Sequence, residues 1–417
     1  MTPPGSTRST SSAWALLRLA MAIAGVAAIF FVFGLGDLFL VIVAIVAMVI
    51  VHEAGHFFTA KWSKMAVTEF FVGFGPRVWS IRLGETEYGV KAIPAGGYVK
   101  IPGMTNLEEV DPAQEERTYR RKPFHSRILV GCAGSFMHLV MAFILAWATL
   151  VFVGATSATQ TEIVGFSGFS PATSPAQHAG LKRGDVIVGV NGHRLSSLEG
   201  LKSVIESSAG RPLRLDVERG GKTRSVAVVP QLVRHQVDGH EHTSVLIGVE
   251  LGTVDQPESA FGALGGAGVV VGQTTRDTVL GVGQVFSPSG ISKYVHEVAN
   301  PQSAPTSVNS GRPESIIGAV RTAVEGAQAG PGYLMEVLIA LNIVVGLVNL
   351  FPMLPLDGGH VVIALYERIR TRPGRRYYQA DAAKMAPFAY AFIVLLGLLV
   401  VSTAYLDIAH PIANPFG

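Results

Sequence analysis

At 417 residues the chain has room for two or three domains, and 49% hydrophobic against 15% charged residues is too apolar for an ordinary soluble globule. The single Cys132 excludes an internal disulfide framework, and its apolar surroundings suit small-hydrophobe packing rather than redox work. The net charge of +3 is small and the basic residues are scattered through loops, so nothing suggests a nucleic-acid surface. The expected class is a multi-pass α-helical membrane protein.

Residues 1–37 read as an N-terminal tail and an extra span, about Ala13 to Phe33. Arg8 and Arg18 flank that apolar core as they would in a signal peptide, but no small-x-small cleavage site follows, so an uncleaved span is the reading adopted. The next span, 38–60, is followed by a basic loop at 61–127 and a third span at 128–154. Two more spans, within 333–360 and 386–406, close the chain. Eleven Lys or Arg lie between Lys61 and Arg127 and six between Arg368 and Lys384, whereas the Phe33 to Asp37 turn and the tail after Tyr405 have none. The positive-inside rule therefore places both basic loops and the N-terminus in the cytoplasm, with 155–332 and the C-terminus outside it.

At the end of the second span stands His52-Glu53-Ala54-Gly55-His56. On a helix, histidines four residues apart share a face, so both imidazoles can bind one Zn²⁺ while Glu53 reaches a water beside it. Three ionisable residues packed into an apolar span are expensive and read as functional, whereas an interfacial helix end would need no such spacing. Catalytic zinc takes three protein ligands, so a third must arrive from elsewhere. One segment offers it: Asn349-Leu-Phe-Pro352-Met-Leu-Pro355-Leu-Asp357-Gly358-Gly359-His360 sets an acidic residue among helix breakers in the fourth span. Irregular backbone at membrane depth is tolerated only when buried in protein or lining a wet cavity. Both segments approach the same, cytoplasmic, leaflet.

With both motifs in order, the chain from Leu38 onward resembles the site-2 protease family of intramembrane zinc metalloproteases, in its bacterial branch of membrane-embedded regulators with extracytoplasmic PDZ domains. The resemblance implies His52, His56 and Asp357 as zinc ligands, Glu53 as the residue activating water, and Asn349 as a group positioning the substrate backbone. His360 competes for the third ligand place; the family pattern and the broken backbone favour Asp357 and put His360 behind it. The implied substrates are transmembrane proteins in the bacterial inner membrane, anti-sigma factors or remnant signal peptides among them, whose helices must unwind to reach the metal.

Residues 85 to 101, rich in Tyr, Val and Ile with Pro94 and Gly96-Gly97 as turn signals, read as a β-hairpin that resembles the family's membrane-associated β region. Such an edge would pair with an unwound substrate, and a plain cytoplasmic hairpin fits the pattern equally. Residues 161–232 resemble a PDZ domain: Ala179-Gly180-Leu181, then Arg183-Gly184-Asp185 and a strand ending in the Asn191-Gly192 turn, a helix over Ser197 to Ser207, and two strands joined at Gly220-Gly221. In this family the domain either takes peptides or filters substrates by size. Residues 233–332 are expected to be an extracytoplasmic linker region, with Ser287 to Pro313 its most loop-like part.

Some positions depart from the pattern. The family's Gly-Pro-x-x-Asn in the third span is Gly134-Ser135-Phe136-Met137-His138 here; His138 either replaces the amide or is a satisfied histidine facing a neighbouring span, the second being preferred. His235, His240 and His242 suggest a second metal less than they suggest a solvated loop. The rival readings are a catalytically inactive PDZ-bearing membrane scaffold, against which Glu53 stands, a membrane protease whose third ligand is cytosolic, and a broken-helix transporter.

Overall fold

A computed structural model describes residues 12–104, 108–166, 174–195, 198–237, 240–305, 311–371 and 378–414. The chain opens with α1 (Ser12–Val32) and α2 (Gly36–Trp62). Two long strands, β1 (Glu69–Leu83) and β2 (Thr86–Lys100), lead to α3 (Phe124–Ala148), whose last turn widens to a π-helical Thr149–Val153. There follow β3 (Ala155–Gly165), α4 (Pro175–His178), β4 (Val186–Val190), β5 (His193–Arg194), α5 (Leu198–Ser207), β6 (Leu213–Arg219), β7 (Lys222–Val228), β8 (Gln231–Val237), β9 (His240–Leu246) and β10 (Glu250–Gln256). Among the described residues six α-helices follow: α6 (Gly262–Val285), α7 (Pro288–Ala299), α8 (Ile316–Ala329), α9 (Pro331–Asn349), α10 (Asp357–Arg370) and α11 (Ala382–Ala409).

Two compact units result, one from Met1–Trp147 with Leu264–Gly417, the other Ala148–Ala263. Four helical segments among the described residues are long and apolar enough to cross a membrane: Gly36–Trp62, Phe124–Val153, Pro331–Asn349 and Ala383–Ala409. The 27 residues of α2 span about 40 Å at 1.5 Å per residue, more than a bilayer core. The fifth expected span is helical as α1, but there only Ile23–Val32 qualifies, as a shorter apolar helix. The core joining α2 to α8 and α9 consists of Val41, Met48, Ala323, Leu334 and Leu338.

The β region is larger than a hairpin over 85 to 101. Residues 69–72 pair with 87–90 on one side, in a register that rises along both segments, and antiparallel with 97–100 on the other, while 79–83 pair antiparallel with 86–90. The sheet order is thus 79–83, 86–90, 69–72, 97–100, with 97–100 at an edge. Gly96 and Gly97 lie inside β2 rather than in a turn, because the chain reverses at Gly84 and bends again near Ile93. Phe57 of α2 holds the sheet edge-on against Phe70 and Tyr88, at 5.6 and 5.8 Å between ring centres.

The second unit is built on an antiparallel sheet in the order β10-β3-β4-β6-β7, with β5 also on β4 and β8 paired with β9 apart from it. Asn191 and Gly192 both have positive φ, +51° and +82°, as a tight two-residue turn between β4 and β5 requires. Ile163, Ile187, Leu201, Leu213, Leu215 and Val217 are fully buried in its core. Asp185 is buried under a two-pronged bond from Arg219, 2.5 Å from Nε and 2.6 Å from Nη2. Burial works to raise that carboxyl, but the bonds from Arg219 and the Lys182 amide hold it below the ordinary carboxylate range.

Expected boundaries shift in two places. The unit exceeds 161–232 at both ends, because β10, distant in sequence, pairs with β3 and completes the sheet edge. The stretch expected as a linker, 233–332, carries strands and the helices α6, α7 and α8. Ser287 caps α7 by accepting the Gly290 N–H at 3.0 Å, with Pro288 in its first turn, so a residue pair read as loop chemistry is a helix start. The loop expected around His235, His240 and His242 is instead the hairpin β8–β9, with His235 opposite His242 in the backbone register.

Candidate metal centre

α2 carries His52 and His56 one turn apart, and their Nε2 atoms lie 3.2 Å from each other. Asp357, 301 residues further on than His56, brings Oδ2 to 3.2 Å from His56 Nε2 and 3.3 Å from His52 Nε2. Three donor atoms at these separations form a nearly equilateral triangle. A tetrahedron whose corners stand ~2.0 to 2.1 Å from its centre has edges of about 3.3 to 3.4 Å, so the triangle fits three ligands of a tetrahedral Zn²⁺ with the fourth corner left for water or substrate. Among the described residues this is the sole group of three or more His, Cys, Asp or Glu placed to hold a metal.

Local structure sets each donor. The Nδ1 of His56 donates to the Val130 carbonyl at 2.7 Å, which fixes the tautomer and leaves the Nε2 lone pair facing Asp357. Asp357 is the first residue of α10, where a carboxylate is favoured by the helix dipole. The irregular stretch 350–356 between α9 and α10 delivers it to that place. α3 closes the third side through Gly134: a Cβ there would lie 2.3 Å from His52 Cε1 and 2.4 Å from His56 Nε2. Only glycine lets α3 approach this closely.

Glu53 sits beside the two histidines, beneath the edge strand. A Cβ on Gly97 would come 3.1 Å from Glu53 Cγ, so β2 crosses directly over this side chain, and the Val99 amide interacts with its carboxylate. Asn349 is the last residue of α9; it is half-buried and its side chain makes no hydrogen bond with a described residue. His360, one turn beyond Asp357, faces Tyr119 edge-on at 6.3 Å between ring centres and stands outside the donor group. The side chains of His235, His240 and His242 lie outside the described residues.

His138 faces a neighbouring span, and it is more than a satisfied core residue. Its ring centre is 5.0 Å from that of His52, and its Nδ1 lies 3.0 Å from Asn342 Oδ1. Asn342 was not singled out by the sequence reading, although an amide in an apolar span is itself a signal. Equally unforeseen is the buried pair of Arg127 and Glu367, 2.6 Å apart, which ties α3 to α10. An apolar cavity of about 230 Å³ opens one turn from His52, lined by Met48, Val51, Met141, Leu338 and Asn342 among others.

Similarity to known proteins agrees with this geometry. The chain is 30% identical over 395 residues to the zinc metalloprotease Rip1 of Mycobacterium tuberculosis, covering 88% of this chain and 96% of that one. It is 30% identical over 410 residues to Rip1 of Mycolicibacterium smegmatis, covering 91% and 99%. Residues 40–396 match the profile of peptidase family M50, a stretch that holds most of α2, all of α3, α9 and α10, and all three donor residues. The chain belongs to peptidase family M50, the site-2 proteases.

Proposed function

We propose that this chain is an intramembrane zinc metalloendopeptidase that hydrolyses peptide bonds within or near transmembrane segments, with Zn²⁺ held by His52, His56 and Asp357. The observation that carries the reading is the triangle of donor atoms, 3.2 to 3.3 Å on a side, built from the apolar helix α2 and the first residue of α10. Bound there, zinc supplies a Lewis acid and lowers the pKa of water toward neutrality. Glu53 takes the proton of the attacking water and returns it to the leaving amine. The edge strand 97–100 offers main-chain hydrogen bonds to an unwound substrate segment, and Asn349 holds another backbone group. Backbone pairing of this kind accepts many side chains, which suits a protease of membrane-anchored regulators such as anti-sigma factors or of remnant signal peptides.

The unit Ala148–Ala263 is read as a PDZ domain on the extracytoplasmic side, with the N-terminus and both basic loops in the cytoplasm of a bacterial inner membrane. Its antiparallel sheet, the Asn191-Gly192 turn and the helix α5 support that reading, as does the distribution of Lys and Arg. In that place it takes substrate termini by strand addition or excludes bulky ectodomains.

The test is Glu53→Gln in the full chain. It should retain zinc and thermal stability while slowing cleavage of a model transmembrane substrate by about 10²- to 10⁴-fold. Undiminished cleavage would reject the protease reading in favour of a scaffold that keeps the fold.

A further inference from the structure

The two candidate ligand histidines are held in different ways. His56 follows the usual rule for a metal-bound imidazole, its second nitrogen bonded to a backbone carbonyl, here Val130 O at 2.7 Å. His52 does not: its Nδ1 is buried and has no hydrogen-bond partner among the described residues. Its polar contacts are all at Nε2, so rotation of the ring about that atom is restrained by packing alone. The His56 ring stands edge-on at 4.9 Å on one side, the Gly134 backbone presses on its Cε1–Nε2 edge, and the His138 ring lies at 5.0 Å, tilted by 47°.

His138 is itself immobilised. Asn342 Nδ2 donates to the Leu338 carbonyl at 2.8 Å, which leaves Oδ1 to accept from His138 Nδ1 at 3.0 Å. Both residues are buried, at 2% and 0% exposure, in separate helices α3 and α9. A fixed path of contacts therefore runs from the Leu338 backbone through Asn342 and His138 to the ring of His52. It crosses α9, α3 and α2 at the position where the sequence departs from Gly-Pro-x-x-Asn.

We propose that His138, oriented by Asn342, is a positioning residue that sets the ring plane of His52 by contact, in place of the missing hydrogen bond. The proposal rests on the assignment of His52 as a zinc ligand. It assigns the work to the flat ring of His138 rather than to its polarity, because its Nδ1 is engaged with Asn342 and no hydrogen bond from the described residues reaches His52 Nδ1.

Zinc affinity by chelator competition on the detergent-solubilised full chain provides the readout, with the thermal midpoint of the metal-free protein recorded alongside. His138→Ala should weaken zinc by about 10- to 100-fold, the range seen when the support of a ligand is removed. The pair His138→Phe with Asn342→Leu keeps a ring and removes the buried polar contact; it should bind zinc within a few-fold of the parent. A merely structural role would tie affinity to the thermal midpoint instead, and the Phe/Leu pair tests this even if His138→Ala does not fold. Parental affinity in His138→Ala, or a Phe/Leu pair weakened tenfold or more, would overturn the proposal. A control separates the underlying assignment: His52→Ala with undiminished zinc affinity would show that the ligand reading had failed instead.

Discussion

The Nδ1 of His56 and the carbonyl oxygen of Val130 are joined at 2.7 Å, a bond between the second and third apolar helices. It decides which nitrogen of His56 is free, and thereby leaves Nε2 facing the Asp357 carboxylate that α10 brings to 3.2 Å.

Metal removal follows directly from that geometry. Asp357→Ala deletes one corner of the triangle, and elemental analysis of the purified variant should find zinc near background while Glu53→Gln stays loaded. Chelation of the parent should lower its thermal midpoint, and added Zn²⁺ should restore it in a concentration-dependent way, since a ligand that binds only the folded state stabilises it by mass action. Zinc retained by Asp357→Ala would point to His360 as the third ligand.

Gly134→Ala is the smallest change that should damage the centre. Its methyl would sit 2.3 to 2.5 Å from atoms of both imidazoles, so either α3 moves away or the rings rotate. Overpacking of this kind costs about 1–3 kcal/mol, and here the strain falls on His52 and His56. Isothermal titration with zinc should show affinity reduced at least tenfold, whereas alanine at Gly397, where nothing lies within 4 Å of the added Cβ, should leave it unchanged.

Arg127 and Glu367 form a buried ion pair, with side chains 3% and 6% exposed, that ties the helix bearing Gly134 to the one bearing Asp357. Glu367 also accepts the Ala380 N–H at 2.7 Å, and the Arg127 guanidinium lies over the Tyr119 ring at 4.9 Å. Burial pushes the Tyr119 phenol up to about 12, so it stays protonated and donates to the Arg127 carbonyl at 3.2 Å. Removing one charge strands the other, at a cost of about 3–5 kcal/mol. Arg127→Met should therefore lower the thermal midpoint sharply in a scanning experiment. Adding Glu367→Gln, which keeps an acceptor for Ala380, should recover most of the loss.

A pH dependence is expected at the turn of the β sheet. Hydrogen bonds from Arg117, and then from Lys61, hold the Glu85 carboxyl down at about 2, below its ordinary 4.5, against the opposing effect of burial. A carboxyl depressed on folding stabilises fully above its unfolded value and loses that contribution as pH falls through its folded one, here between about 4.5 and 2. Exposure and salt limit the effect to about 1 kcal/mol or less. Hydrogen exchange at the 83–87 turn, corrected for its intrinsic pH dependence, should quicken over that window in the parent and stay level in Glu85→Gln.

The local chemistry of this protein was written in its sequence. Residue types and spacing were enough for the apolar helices, for His52, Glu53 and His56 on one helical face, for the break around Asp357, and for the Asn191-Gly192 and Gly220-Gly221 turns, because each depends on neighbours within a few positions. Periodicity failed where glycine diluted it, as in α6, and where a proline that starts a helix looked like a loop, as at Ser287-Pro288. Whatever joins distant segments was decided by tertiary structure alone: the pairing of β10 with β3, the crossing of β2 over Glu53, the Arg127–Glu367 pair, and the contact of His138 with His52. These contacts depend on helix crossing distances that no one-dimensional pattern encodes, and they convert three well-placed side chains into one coordination geometry.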